Sequence, residues 1–322
     1  MNALRFFLFV LLLAANCAHA QYPNRPVKVI IPFAPGGASD FVGRIIQPRL
    51  SELLGQQVVI ENRPGASGNI GLEAGARAAP DGYTLFLGNV GTVAINISVF
   101  PKLAVDPQKD FIAVSQVVDV PSVFVAHPSF APNTVRELID YVKANPGKVN
   151  YASPGSGSLD RLAMESLRKI GGGMDMVHIP YKGGAGPAVT GLVSGETQVM
   201  SVTASSAMPM VKAGRLKVLA VSGLKRSAEL PAVPTMAESG YAGFETGSWQ
   251  GIFVPTGAPA EVVERLFAVV QQTMKAPEVI ERLSKGGVDA VTSATPAAFG
   301  ELVARETQRW ARVVKESGAT ID

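Results

Sequence analysis

Twice in this chain a strand-like run breaks into a loop of Pro, Gly and Ser and then re-forms as a helix. Val27-Lys28-Val29-Ile30-Ile31 reads as a buried strand. It runs into Pro32-Phe33-Ala34-Pro35-Gly36-Gly37-Ala38-Ser39-Asp40. Beyond that loop Phe41, Val42, Ile45, Ile46, Leu50, Leu53 and Leu54 are spaced for one helical face, with Gly55 as the stop. The second copy is a strand over 149–153, the loop Pro154-Gly155-Ser156-Gly157-Ser158, and a helix from Leu159 to Ile170 stopped by Gly171. Strands that hand over to helices and then return as strands argue for a mostly parallel sheet covered by helices, an α/β fold. In the first loop Ser39 is the expected N-cap. Each loop suits either a plain tight connection or an anion cradle. In a cradle, backbone N–H groups and the positive end of a helix point at one ligand, and Gly lets that ligand come close.

The rest of the chain keeps this style. Val58-Val59-Ile60 is a strand leading to the Gly-rich turn Glu61-Asn62-Arg63-Pro64-Gly65-Ala66-Ser67-Gly68-Asn69, and a strand follows over 83–87. Ligands of such sheets sit beyond the carboxyl ends of the strands, where Gly88-Asn89-Val90-Gly91-Thr92 lies. Two further strands are expected over 111–118 and 123–126, and residues 123–127 are placed to carry the chain into a second domain. Thr134-Val135-Arg136-Glu137 is a capping box, and Asn145-Pro146-Gly147 ends its helix. Strands over 197–202 and 216–221 precede an irregular stretch over 231–247. Ser248-Trp249-Gln250-Gly251-Ile252-Phe253-Val254-Pro255 reads as a strand returning to the first domain. Two closing helices are expected, one from Pro259 and one from Thr295-Pro296.

Length suggests about two domains. A 47% hydrophobic and 17% charged composition allows a large core. The formal charge of +3 is dispersed, with no basic run to track phosphates, which argues against nucleic acid. Residues 1–20 form a signal peptide pattern: Arg5, an apolar stretch over 6–15, and Ala18-His19-Ala20 as the cleavage site. A lipoprotein alternative would use Cys17, but Asn16 is a poor residue before such a site. Cleavage after Ala20 removes Arg5 and the lone Cys, leaving 28 basic residues (29 less Arg5) against 26 acidic ones. No later segment is apolar enough to span a bilayer. An exported, cysteine-free mature chain without disulfides is expected.

Catalytic chemistry is thin. His127 and His178 are the histidines left after cleavage, and no Cys remains for a zinc site. There is no G-x-S-x-G elbow, no phosphate-binding G-x-x-x-x-G-K-[ST], and Gly155-Ser156-Gly157 lacks the third Gly of a dinucleotide fingerprint. A binding protein is expected, ahead of a periplasmic enzyme or a ligand-presenting adaptor for a membrane kinase.

The motifs together closely resemble the Bug/TctC family of periplasmic receptors. They are Pro23-Asn24-Arg25-Pro26, the Pro32–Asp40 loop, the Glu61–Asn69 turn, Pro80-Asp81-Gly82-Tyr83, His178-Ile179-Pro180-Tyr181-Lys182-Gly183-Gly184, Lys212-Ala213-Gly214-Arg215-Leu216, Lys225-Arg226-Ser227 and Val233-Pro234-Thr235. They cover essentially the whole mature chain. The resemblance implies two lobes of the type II periplasmic binding fold with a central ligand cleft, divided as 21–122 with 248–322, and 123–247. It implies a carboxylated ligand held by main-chain amides, a membrane permease of a tripartite transporter as partner, a monomer, no cofactor and no metal. Carried over residue by residue, the first-lobe contacts are Phe33, Gly36, Gly37, Ala38, Ser39 and Asp40, with Gly91 and Thr92. The second-lobe contacts are Ser153, Gly155, Ser156, Gly157 and Ser158, joined by Tyr181 and Thr203. Many relatives carry His where this chain has Arg161. Counted from Ser158 as N-cap, Arg161 is the third residue of its helix, and a planar guanidinium there would suit the second carboxylate of a small aliphatic or aromatic dicarboxylate.

Overall fold

β1 (Val27–Ile31) lies between two parallel neighbours, β2 (Val58–Asn62) and β3 (Thr84–Asn89). The crossovers are α1 (Ala38–Leu54) and α2 (Asn69–Ala76), as the alternation predicts. This computed structural model describes residues 22–317, apart from 101, 156, 157, 224, 228, 243 and 245. The expected signal segment over 1–20 therefore lies outside the described residues, as do Ser156 and Gly157 of the second loop.

β4 (Phe111–Ala126) is one long strand where two were expected. Pro121, which has no N–H to give to a ladder, lies between the two expected strands. The strand passes through it because the pairing partner changes there. Up to Pro121, β4 runs antiparallel to β9 (Gly247–Pro255); from Ser122 to Ala126 it pairs with β7 (Val199–Thr203), and over Val123 to Ala126 with β8 (Lys217–Val221). The first part also holds the two-residue β10 (Asp289–Ala290). The second sheet is completed by β5 (Asn150–Ser153) and β6 (Val177–Pro180), parallel to each other and to β7. The full strand order is β2-β1-β3-β9-β4-β7-β5-β6. Ser222 braces the point of passage: its N–H donates to Ser122 O at 2.9 Å, and its hydroxyl is within hydrogen-bond reach of both Ser122 O and Thr246 O.

Helices cover both sheets. α3 (Val135–Ala144) and α4 (Leu159–Ile170) bury Leu138, Val142, Leu167 and neighbours against Phe124 and Tyr151. The other face of that sheet holds α5 (Ala185–Ser194) and α6 (Ala204–Lys212). On the first sheet α1 packs with α7 (Ala260–Met274) and α8 (Pro277–Lys285). α8 was not expected from the sequence; Ala276 ends the preceding turn and Pro277 takes the first helical position, where its missing N–H costs nothing. α9 (Pro296–Ser317) covers the opposite face through Phe299, Val303 and Trp310. Gly251 on β9 allows this approach, since a Cβ there would lie 2.1 Å from the Phe299 ring.

Candidate functional site

The carboxyl ends of β1, β3, β5 and β7 meet beside the start of β9. They enclose a cavity with about 590 Å³ unfilled by atoms, part of it continuous with solvent. Three helices begin on its wall. Gly37, Ala38 and Ser39 open α1; Ser158, Leu159 and Asp160 open α4; Ala185 opens α5. Helix N-termini carry partial positive charge and unsatisfied N–H donors, so three together form a strongly anion-directed wall. Phe33, Ser67, Asn89, Val90, Gly91, Pro154, Thr203, Ser248 and Gln250 complete the lining.

The first loop is shaped by a carboxylate that does not face the cavity. Gly37, rather than Ser39, is the N-cap of α1, and Ser39 is already helical. No side chain caps α1; Asp40, in its first turn, ties the loop instead. Its Oδ2 accepts the Gly36 N–H at 3.1 Å and the Arg44 Nε–H at 2.9 Å, and its Oδ1 accepts from Asn62 Nδ2 at 3.0 Å. Burial alone would push this carboxyl up. The hydrogen bonds from Arg44, Gly36 and Asn62 outweigh it and hold the group below the usual carboxylate range. Asn62 also donates to Phe33 O at 3.0 Å, so β2 pins the loop from the side. Gly36 has φ +91°, a conformation open to Gly and strained for other residues.

At the end of β3, Asn89 and Thr92 bond reciprocally. The Thr92 N–H donates to Asn89 Oδ1 at 3.0 Å, and the Asn89 N–H to Thr92 Oγ1 at 3.1 Å. Thr92 is fully buried and is not on the cavity wall; it holds Asn89, Val90 and Gly91 in place. In the second loop Ser153 Oγ accepts the Gly155 N–H at 3.1 Å and lies 2.7 Å from His178 Nε2. Ser158 is the N-cap of α4, as expected, accepting the Arg161 N–H at 3.2 Å.

The cavity thus gathers Phe33, Gly37, Ala38, Ser39, Gly91, Ser158 and Thr203 from the residues expected in the sequence. Gly36, Asp40, Thr92 and Ser153 lie off its wall and set loop shape, and Gly155 lines an outer crevice. Tyr181 is elsewhere: its hydroxyl donates to Glu196 Oε2 at 2.6 Å, and it lines an outer crevice with Gly65, Gly68 and Phe100. Burial, with the Glu196 hydrogen bond, pushes its phenol up to about 12. Arg161 is buried, and it does not line the cavity.

Of the wall residues not expected from the sequence, Asp160 and Gln250 stand out. Asp160, 6% exposed, has an Oδ1 with no donor among the described residues, and burial pushes its carboxyl up to about 7. Gln250, with 0% exposure, has neither amide atom partnered among the described residues. It stands opposite Asn89 on β3. Its signal was legible: Ser248 and Gln250 alternate along a strand that is otherwise largely apolar, so both polar side chains point to one face. Burying such groups without partners is costly, and functional sites are where that cost is tolerated.

The chain is similar to known proteins over nearly its whole length. Residues 42–319 match the model of the tripartite tricarboxylate transporter family receptor, TctC. Protein BugT of Bordetella pertussis is 36% identical over 311 residues, covering 96% of this chain and 94% of that protein. Among solved structures, MatC (Rpa3494) from Rhodopseudomonas palustris with bound malate is 34% identical, with a TM-score of 0.86 over 91% of this chain and 100% of that one. Rpa4515 of R. palustris with adipate is 32% identical, with a TM-score of 0.90 over 93% of this chain and 99% of that one. These likenesses bear out the two-lobed α/β fold. The chain belongs to the TctC family and is a periplasmic solute-binding receptor of the Bug/TctC type, not an enzyme.

Proposed function

We propose that this receptor captures a small dicarboxylate between its two lobes and delivers it to the membrane permease of a tripartite tricarboxylate transporter. The observation that carries this is the convergence of three helix N-termini on one cavity whose wall, among the described residues, includes no Lys or Arg. Main-chain N–H groups of Gly37, Ala38 and Ser39 from one lobe and of Leu159 from the other take one carboxylate. Thr203, Ser248 and Gln250 lie along the rest of the cavity, within reach of a short chain and its second carboxylate. The relatives solved with malate and with adipate support a dicarboxylate of short or medium length. Arg161 does not serve as the second grip in this reading, because it is off the cavity wall.

The lobes are taken as 21–122 with 248–322, and 123–247, after removal of residues 1–20, and the receptor works as a monomer without cofactor or metal. Asp40, Thr92 and Ser153 act as braces of the binding loops. Calorimetry with succinate, malate and adipate, beside acetate, butyrate and aspartate, tests the assignment. One dicarboxylate bound per chain and recovered unchanged is the expected result. Saturation by the monocarboxylates alone, or appearance of a product, would overturn it.

A further inference from the structure

Among the described residues, the cavity that receives an anion has one titratable residue on its wall, and it is an acid. Asp160 lies at the second position of α4 and lines the cavity, with its Oδ1 buried and unpartnered among the described residues. Among the described residues the wall carries no Lys or Arg. Charged groups stand on several of the elements around it. On α4 itself Arg161 lies off the cavity wall, and Glu165 is paired with Arg168. Across the cleft on α1, Arg44 is committed to Asp40. On α9, Glu301 pairs with Arg305 and Glu306 with Arg309. β5 and β6 bring Tyr151 and His178, which stack on each other, and Lys182 is an exposed residue of the following loop. β7, α5 and the start of β9 carry no charged residue.

Two carboxylates about 4 Å apart repel by about 4 kcal/mol even at an effective dielectric of about 20. A buried pair of that kind is relieved by sharing one proton, with one acid donating to the other carboxylate. We infer that a carboxylate enters this cleft together with one proton, which Asp160 holds and donates in a hydrogen bond to the ligand, so that Asp160 makes capture proton-coupled and selects against ligands that bring a cation. The proton comes from solvent; no covalent bond is made or broken. Gln250 is the neutral companion, its Nε2–H a second donor and its Oε1 an acceptor for a ligand hydroxyl. The tendency of the empty site to hold a proton near neutrality agrees, since its carboxyl is already pushed up to about 7 by burial. A bound carboxylate pushes it further in the same direction.

This inference rests on the carboxylate reading of the site, and the test separates the two. Adipate and malate are titrated into the purified mature receptor at about pH 7 in buffers of different ionisation enthalpy, and again at about pH 6 and about pH 8. Binding is expected to take up about half a proton at pH 7 and to weaken about tenfold from pH 6 to pH 8, following the protonated fraction of Asp160. Asp160→Asn, a neutral donor of the same shape, is expected to bind with no proton uptake and to lose the pH dependence. Binding of either acid by the native protein without proton uptake overturns the inference and leaves the carboxylate receptor standing. Tighter binding of aspartate than of the dicarboxylates, growing with pH, also overturns it, because Asp160 would then be an ionised partner for the ammonium. Absence of binding by any carboxylate at all three pH values overturns both readings.

Discussion

The main-chain N–H of Ala34 donates to the main-chain carbonyl of Gly183 at 3.0 Å, joining the loop after β1 to the loop before α5. It is a direct tie between segments that belong to different sheets. Beside it Phe33 packs on Gly184, where a Cβ would stand 3.0 Å from the ring, and Gly155 comes within reach of Ser67. These contacts bring loops of the two sheets together beside the cavity. Closure of two lobes around a ligand, with a few residues at the crossing strands absorbing the change, is the motion such a topology permits.

Gly184→Val is expected to weaken ligand binding about tenfold or more. Gly184 has φ +102°, so a branched side chain there is strained by about 1–3 kcal/mol and presses on Phe33. The strain falls on the closed form. Small-angle scattering should then show a smaller contraction on adding ligand than in the native protein, and calorimetry a lower affinity. An unchanged affinity would show that the Ala34–Gly183 tie has no part in capture.

Asp40→Asn should lower both stability and affinity, although Asp40 does not touch the cavity. It removes the charge that Arg44 and the Gly36 N–H share, at a cost of about 2–4 kcal/mol. The native carboxyl titrates below its unfolded value, so its stabilising effect is present above the unfolded pKa of about 4 and is lost as pH falls through the lower folded one. Denaturant midpoints should therefore differ most between variant and native protein near neutrality and converge in acid.

Gln250→Leu separates stability from function. Both amide atoms are buried without a partner among the described residues, so an apolar side chain of similar size should stabilise the fold by about 1–3 kcal/mol. Ligand affinity should fall by a similar free energy. A higher melting temperature with lost binding is the expected pair of readings; a lower melting temperature would mean the amide is satisfied in solution.

Asp160→Asn should raise the melting temperature at about pH 8 but not at about pH 4. The native acid is held up at about 7 by burial, against about 4 when unfolded. Its neutral form is compatible with the fold, so the stability is fully present below the unfolded value and is lost as pH rises through the folded one. The amide cannot ionise and keeps its stability at pH 8. Thermal melts of the ligand-free protein across that range check the sign.

Local chemistry determined much of this molecule before any tertiary contact. β-branched runs, Gly stops and Ser and Thr caps placed β1, α1, α3, β5 and α4, because strand and helix periodicity and capping act within a few residues of chain. The loops that carry Gly37, Ala38, Ser39 and Ser158 were legible for the same reason, as were the motifs that mark the family. Three things needed the folded chain. β4 runs through Pro121 because Gly247 and Ser222 meet it there from distant parts of the sequence. Asp40 proved a brace because Asn62 and Arg44 come to it from β2 and the next helical turn. Above all, whether Asp160 or Arg161 looks into the cleft depends on the angle at which α4 packs, and adjacent helical residues point about 100° apart. Burial, which sets the proton affinity of Asp160 and leaves Gln250 unpartnered among the described residues, is a property of everything packed around a residue, so it is decided in three dimensions alone.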